Sequence, residues 1–78
     1  AGADISFDLP ETQFVRLAVF SADGRRIATL LSQPMAAGRH SAVWDGRDAH
    51  GDQVASGICF ARIEAGPLQE THKMMLLK

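Results

Sequence analysis

Residues 44–52, WDGRDAHGD, separate two segments that carry the alternating pattern of β-strands. The stretch holds three aspartates, two glycines and one histidine within nine residues. Such a cluster forms either a metal or catalytic site or a tight corner between strands. The choice decides whether the chain is an enzyme or a binding and assembly module.

The carboxylates of this stretch do not have the spacing of a known metal site. An EF-hand loop needs oxygen ligands at alternate positions and a closing glutamate. Asp45, Asp48 and Asp52 are three and four residues apart, with no closing glutamate, so they are weak calcium candidates. Zinc needs several His or Cys ligands, and His50 is alone here. Turn chemistry fits better, because Asp45 and Asp48 can accept hydrogen bonds from N–H groups two residues on. We expect a structural corner without a metal or other cofactor.

Strand signals dominate the rest of the chain, and no apolar pattern of helical period is present. The residues that share one face of a predicted strand are Ile5, Phe7 and Leu9; Val15, Leu17 and Val19; His40, Ala42 and Trp44; and Cys59, Ala61 and Ile63. Asp23-Gly24 and Gly66-Pro67 predict turns, and residues 32–38, SQPMAAG, predict a loop. The pattern predicts an all-β antiparallel sandwich of about seven short strands.

Length and charge limit the classes of function. With 78 residues the chain is one domain, residues 1–78, whose core is small. The net charge is −1 and no basic block is present, which disfavours nucleic-acid binding. No apolar run is long enough to span a membrane. The sequence lacks an initiator methionine and a signal peptide, so we expect a piece of a longer protein.

Catalysis has little support in the residue pattern. Cys59 lies within a predicted strand among apolar residues, which is typical of an inert buried thiol. The histidines fall on different predicted elements, and no serine pairs with one of them in a recognisable motif. Trp44 ends an alternating strand, so we expect it in the core, although an exposed Trp44 would fit a sugar-binding surface. We predict that the chain is not an enzyme.

Three segments carry a family resemblance. Residues 44–48, WDGRD, followed by Gly51 and by VASGI at 54–58, resemble the Ig-like domain named after the bacterial flagellar hook-cap protein FlgD. The hairpin at 23–25 and the closing residues 73–78 are further matches. The same module looks like the type A C-terminal sorting domains of the type IX secretion system. One departure is Cys59, where the family commonly has tyrosine.

The resemblance implies an Ig-like antiparallel β-sandwich at the C-terminus of a large exported bacterial protein. Its implied partners are upstream domains of that protein and a secretion or assembly machinery. The implied location is extracellular or on the cell surface. The positions that the resemblance implies to be structural or to take part in recognition are Asp23, Gly24, Trp44, Asp45, Gly46, Asp48, Gly51, Ser56, Gly57, Lys73 and Lys78.

Three functions remain open from the sequence. The leading one is a non-enzymatic module for secretion sorting and surface attachment, in which residues 73–78 form a recognition element. The second is an assembly module of a hook cap or another extracellular filament, whose exposed strands pair with neighbouring subunits. The third is an accessory binding domain of a secreted hydrolase, which requires an exposed aromatic face.

Overall fold

Six β-strands account for most of the fold in the computed structural model, which describes residues 2–77. They are β1 (Ala3–Leu9), β2 (Gln13–Ser21), β3 (Arg26–Met35), β4 (Gly38–Trp44), β5 (Gly57–Ala65) and β6 (Leu68–Leu76). Residues 2–77 include no helix, and hence none that is long and apolar enough to span a membrane. The all-β prediction is confirmed.

The strands form two antiparallel sheets. One sheet has two strands, β1 and β4, and the other has four in the order β3-β2-β5-β6. Strands β2 and β5 are central, and their register places Leu17 opposite Ile63 and Val19 opposite Ala61. The arrangement is an Ig-like β-sandwich, in which the inner faces of the two sheets enclose the core.

Period-two alternation determines which side chains enter that core. Ile5, Phe7 and Leu9 of β1 are buried, as the sequence pattern predicts. The same holds for the predicted faces of β2 and β5: Val15, Leu17, Val19, Cys59, Ala61 and Ile63. The core includes no buried charged or polar side chain among the described residues. Burial of apolar area is therefore its main source of stability.

The described residues 2–77 form six strands, one fewer than the predicted number of about seven. Between β4 and β5 the chain makes only an isolated bridge, between Arg47 and Gln53. Aspartates and glycines direct this segment into turns, which leaves no extended run for another strand.

The predicted loop at residues 32–38 is mostly strand. Strand β3 continues to Met35 and includes Pro34, which lies opposite Phe14 of β2. Proline has no N–H to donate to a second neighbour, but β3 is an edge strand and needs none on its outer side. Only residues 36 and 37 separate β3 from β4.

Trp44 allows a direct test of what holds the two sheets together. Its side chain is fully buried at the end of β4, whereas its neighbour Val43 is 73% exposed. We expect Trp44→Ala to lower the free energy of unfolding by about 3–5 kcal/mol, because it leaves a cavity in a small core. Val43→Ala should change it by less than about 0.5 kcal/mol. Urea unfolding followed by circular dichroism measures both, and overlapping curves for Trp44→Ala and the wild type would contradict this account.

Candidate functional site

The acidic corner begins at Trp44, whose indole lies in the core. The indole Nε1 donates a hydrogen bond to the carbonyl of Arg47 at 3.0 Å. A buried indole needs such an acceptor, and the chain supplies it by turning back after β4. The indole thus fixes the position of the first turn of the corner.

Two aspartates of the corner bind backbone N–H groups. The Asp45 carboxylate accepts from the Arg47 N–H at 3.1 Å. The Asp48 carboxylate accepts from the N–H of His50 at 2.9 Å and of Asp52 at 3.0 Å. These are the hydrogen bonds that turn chemistry predicts for Asp at turns.

The two glycines of the corner supply the backbone angles that the turns need. Gly46 has φ of 81° and Gly51 has φ of 85°, a region that L-residues rarely occupy. The carbonyl of Gly46 accepts a hydrogen bond from the N–H of Val54 at 2.9 Å. The carbonyl of Gly51 accepts one from the Arg47 guanidinium at 2.8 Å. The corner is therefore closed by its own hydrogen bonds.

The weak calcium candidates are not brought together around one point. Asp45, Asp48 and Asp52 form no group of metal-ligating side chains, and no such group occurs elsewhere in residues 2–77. The carboxylates of Asp45 and Asp48 face N–H donors, which is the environment of a capping group rather than of a cation ligand.

The corner packs beside the β2–β3 hairpin. The N–H of Ala49 donates to the carbonyl of Ile27 on β3 at 3.1 Å, which fastens the corner to the edge of the larger sheet. A shallow groove lies between the hairpin turn and the corner, and its polar lining includes Asp23, Arg25 and His50. The structure thus brings together two segments that the family resemblance singled out.

The hairpin turn is held by a small polar network. Ser21 donates its hydroxyl to the Asp23 carboxylate, and the Arg25 N–H donates to the same carboxylate at 3.4 Å. The hydrogen bond from Ser21, aided by the Arg25 N–H and charge, lowers the pKa of Asp23. Gly24 has φ of 88°, as expected in a tight hairpin turn.

The other singled-out positions lie on strands β5 and β6 or next to them. Gly57 begins β5 opposite Leu76, and Ser56 precedes it. Lys73 is exposed on β6 opposite Phe60. Lys78 lies outside the described residues. Ser56 and Gly57 follow Val54, whose N–H donates to the carbonyl of Gly46, so these two positions adjoin the acidic corner. Lys73 lies on the other edge of the larger sheet, opposite the edge that the corner contacts.

One end of the outer face of the larger sheet carries an apolar patch. Phe20 and Phe60 lie opposite each other on β2 and β5, and the Arg62 guanidinium stacks on the Phe20 ring at 4.5 Å from its centroid. Ile58 and Met75 form the next cross-strand pair and are 36% and 60% exposed. Sequence alternation placed Ile58 and Phe60 on this face, but it did not identify the face as a surface.

Cys59 does not have the environment of a nucleophile. It is buried in the core, and burial raises the pKa of its thiol, so the thiol stays protonated at neutral pH. The ring of His40 is hydrogen-bonded to the carbonyl of Ala36, and that of His72 to Glu70. These contacts are local and structural.

The strand order and the enclosed core define a small Ig-like β-sandwich domain. The family model of the FlgD Ig-like domain matches residues 1–66. The chain therefore belongs to the FlgD Ig-like domain family.

Two solved structures are similar to the chain. FlgD from P. aeruginosa aligns with a TM-score of 0.78 and 22% identity, over 96% of this chain and 59% of that one. FlgD from Xanthomonas campestris, which is described as a hook-capping protein essential for flagellar assembly, aligns with a TM-score of 0.66 and 26% identity. That alignment covers 95% of this chain and 54% of the other. This chain thus spans little more than half the length of each, and comparison with curated proteins found no match.

Asp48 and Asp52 form a matched pair for testing the corner. Asp48 accepts two backbone hydrogen bonds, whereas the Asp52 side chain is exposed and makes no hydrogen bond described within residues 2–77. We expect Asp48→Ala to lower the free energy of unfolding by about 1–2 kcal/mol, and Asp52→Ala to change it by less than about 0.5 kcal/mol. Thermal unfolding measures the difference. Equal effects of the two substitutions would contradict the capping role of Asp48.

The lowered pKa of Asp23 predicts that the stability of the fold depends on pH. Because the pKa of Asp23 is lowered in the folded state, its ionised carboxylate stabilises the fold. This contribution is fully present above the unfolded-state pKa, about 4, and is lost as the pH falls through the lower folded-state pKa. An NMR titration should find the pKa of Asp23 below the ordinary value of an aspartate, and Ser21→Ala should raise it. A pKa of Asp23 that Ser21→Ala leaves unchanged would show that the hydroxyl does not cause the shift.

Proposed function

We propose that this chain is a non-enzymatic assembly domain, which binds neighbouring protein subunits in an exported bacterial structure of the hook-cap type. Membership of the FlgD Ig-like domain family supports this function. The hook-capping relative from Xanthomonas campestris supports it as well. Sorting and surface attachment ranked first in the sequence analysis, but these comparisons favour assembly.

The observation that carries the proposal is the apolar patch at one end of the outer face of the four-stranded sheet. An antiparallel sheet with one solvated face normally presents polar side chains there. Here Phe20, Phe60, Ile58 and Met75 lie on adjacent strands of one face, beside Arg62. Aromatic side chains, methionine and arginine are the types enriched at protein interfaces. A face of this composition suits contact with another protein.

The environments of the candidate catalytic residues also argue against catalysis by this chain. The aspartates of the corner bind backbone N–H groups, and the one thiol is buried with a raised pKa. Trp44 is fully buried and is not available to stack on a sugar ring. An accessory sugar-binding role therefore loses Trp44, the aromatic residue that the sequence offered for it.

Sorting remains the second candidate, because one observation favours it. The end of β6 leaves Met75 60% and Leu77 69% exposed, beside the exposed Lys73. A basic and apolar segment of this kind could serve as a recognition element for a secretion machinery. In either role the chain acts as one module of a longer exported protein, together with that protein's other domains.

The test uses the parent gene in the organism that encodes this chain. Ile58→Asp places a charge on the apolar face, and Val43→Asp places one at an exposed apolar site on the other sheet. We expect the Ile58→Asp protein to be exported but absent from the assembled extracellular fraction, whereas Val43→Asp should assemble normally. Fractionation and immunoblotting measure both, and circular dichroism of the purified chains checks folding.

Replacement of the exposed residues Lys73 and Leu77 by serine, which keeps the buried Leu76 of β6, distinguishes sorting from assembly. Under the assembly function, Ile58→Asp blocks incorporation after export. Under the sorting function, the replacement retains the parent protein in the periplasm, whereas folded Ile58→Asp is exported and attached in the same way as the wild type. The second pattern would overturn the assembly proposal.

A further inference from the structure

The outer edge of β6 is open along the whole strand. Strand β6 is last in the sheet order, and all nine of its residues pair with β5 without a register shift. It contains no proline. Within residues 2–77, no backbone hydrogen bond from outside β5 reaches β6. A long and regular edge of this kind is a template for pairing with another strand.

The opposite edge of the same sheet is protected by contrast. Strand β3 has two irregularities in its register with β2, and it contains Pro34. The corner residue Ala49 also donates a hydrogen bond to Ile27 of β3. Bulges, proline and a covering loop are the devices by which natural edges avoid pairing. The chain applies them to β3, whereas β6 carries only Lys73, a charged residue of the kind that also discourages edge pairing.

The turn between β5 and β6 determines which backbone groups point outward. Ala65 and Leu68 face each other across the two-residue turn at Gly66 and Pro67. In such a hairpin the flanking pair exchanges both backbone hydrogen bonds, and these pairs alternate along the ladder. The N–H and C=O groups of the intervening residues therefore point to the open edge. These residues are Gln69, Thr71, Lys73 and Met75.

The sequence of β6 is complementary to itself in one antiparallel register. With a twofold axis at Thr71, Thr71 faces its own copy and exchanges both backbone hydrogen bonds with it. Gln69 then faces Lys73, which adds further hydrogen bonds, and Glu70 faces His72. The Glu70–His72 pairs are non-hydrogen-bonded backbone pairs, in which side chains approach most closely. A carboxylate thus meets an imidazole on both sides of the axis.

Neighbouring registers are less favourable. A shift that centres the axis on Glu70 places two carboxylates opposite each other, and one centred on Lys73 places two ammonium groups opposite each other. A shift centred on His72 places Glu70 opposite Met74 and leaves the carboxylate without a polar partner across the interface. The register at Thr71 instead places Leu68 opposite Met74, so apolar residues also match.

We propose that β6 pairs with β6 of a second copy of this chain, antiparallel and centred on Thr71, an inference that rests on the assembly function and names its partner. The two larger sheets then join into one continuous sheet across the twofold axis. The apolar pair Ile58 and Met75 lies next to this junction, on the outer face. Self-pairing through β1 is disfavoured, since an axis at its central residue, Ser6, places Asp4 opposite Asp8.

Sedimentation equilibrium of the 78-residue chain tests the pairing. The wild type should show a concentration-dependent mass that approaches twice that of one chain. Thr71→Lys places two ammonium groups opposite each other at the axis and should abolish the dimer. Thr29→Lys is the matched control, because Thr29 is an exposed threonine on the protected edge strand β3, and it should leave the dimer intact. Circular dichroism establishes that each variant is folded.

Disulfide cross-linking tests the register. Hydrogen-bonded antiparallel partners have Cα atoms about 5.5 Å apart, within the range of a disulfide. Thr71→Cys should therefore form a covalent dimer on air oxidation. Gln69→Cys should not, because its two copies would be about 13 Å apart along the strands. The wild type controls for Cys59, which is buried.

A monomeric wild type at millimolar concentration would overturn the proposal, as would a dimer that Thr71→Lys leaves intact. Cross-linking by Gln69→Cys in preference to Thr71→Cys would overturn the register. These results are distinguishable from failure of the assembly function. If β6 does not pair but the assembly function is correct, Ile58→Asp still prevents incorporation in the organism. If the assembly function is wrong, Ile58→Asp has no effect there.

Discussion

The enclosure of Trp44 between two sheets is the constraint on which the rest of the structure depends. The domain is small, and a small core has few large side chains with which to offset the loss of chain entropy. The indole is the largest fully buried side chain in the described part of the chain. Its N–H must find an acceptor, and the carbonyl of Arg47 supplies one only if the chain turns immediately after β4. Packing of the indole in the core therefore determines the conformation of the loop that follows β4.

The acidic corner follows from that requirement. A chain that turns within a few residues leaves backbone N–H groups without strand partners. The carboxylates of Asp45 and Asp48 accept hydrogen bonds from these groups. The sequence suggests metal binding or catalysis by these carboxylates, but because they face N–H donors, they stabilise the turn instead. The corner in turn covers part of β3 through the contact between Ala49 and Ile27. The turn that the buried indole requires thus adds to the protection that Pro34 and the register irregularities give to the β3 edge.

Alternation of apolar and polar residues was sufficient to predict the core faces of β1, β2 and β5, because side-chain direction in a strand depends only on parity. It was not sufficient at Pro34, since the rule that proline ends a strand fails where the strand has an open side. The outer face was also missed as a surface. Phe20 and Phe60 are forty residues apart in sequence and meet only because β2 and β5 are neighbours. Which strands are neighbours is a property of topology that local pattern does not contain.

The difference between the two edges of the larger sheet determines how far association through strands can proceed. If an open edge paired with a different edge of the next molecule, each addition would expose a new edge, and the chains would form a filament. Pairing of β6 with itself consumes the open edge in both copies. The joined sheet then ends in β3 on either side, where bulges, Pro34 and the covering corner prevent further addition. The protected β3 edge therefore limits association through this sheet to two chains. Growth into a larger structure must use another surface, for which the apolar patch on the outer face is suited.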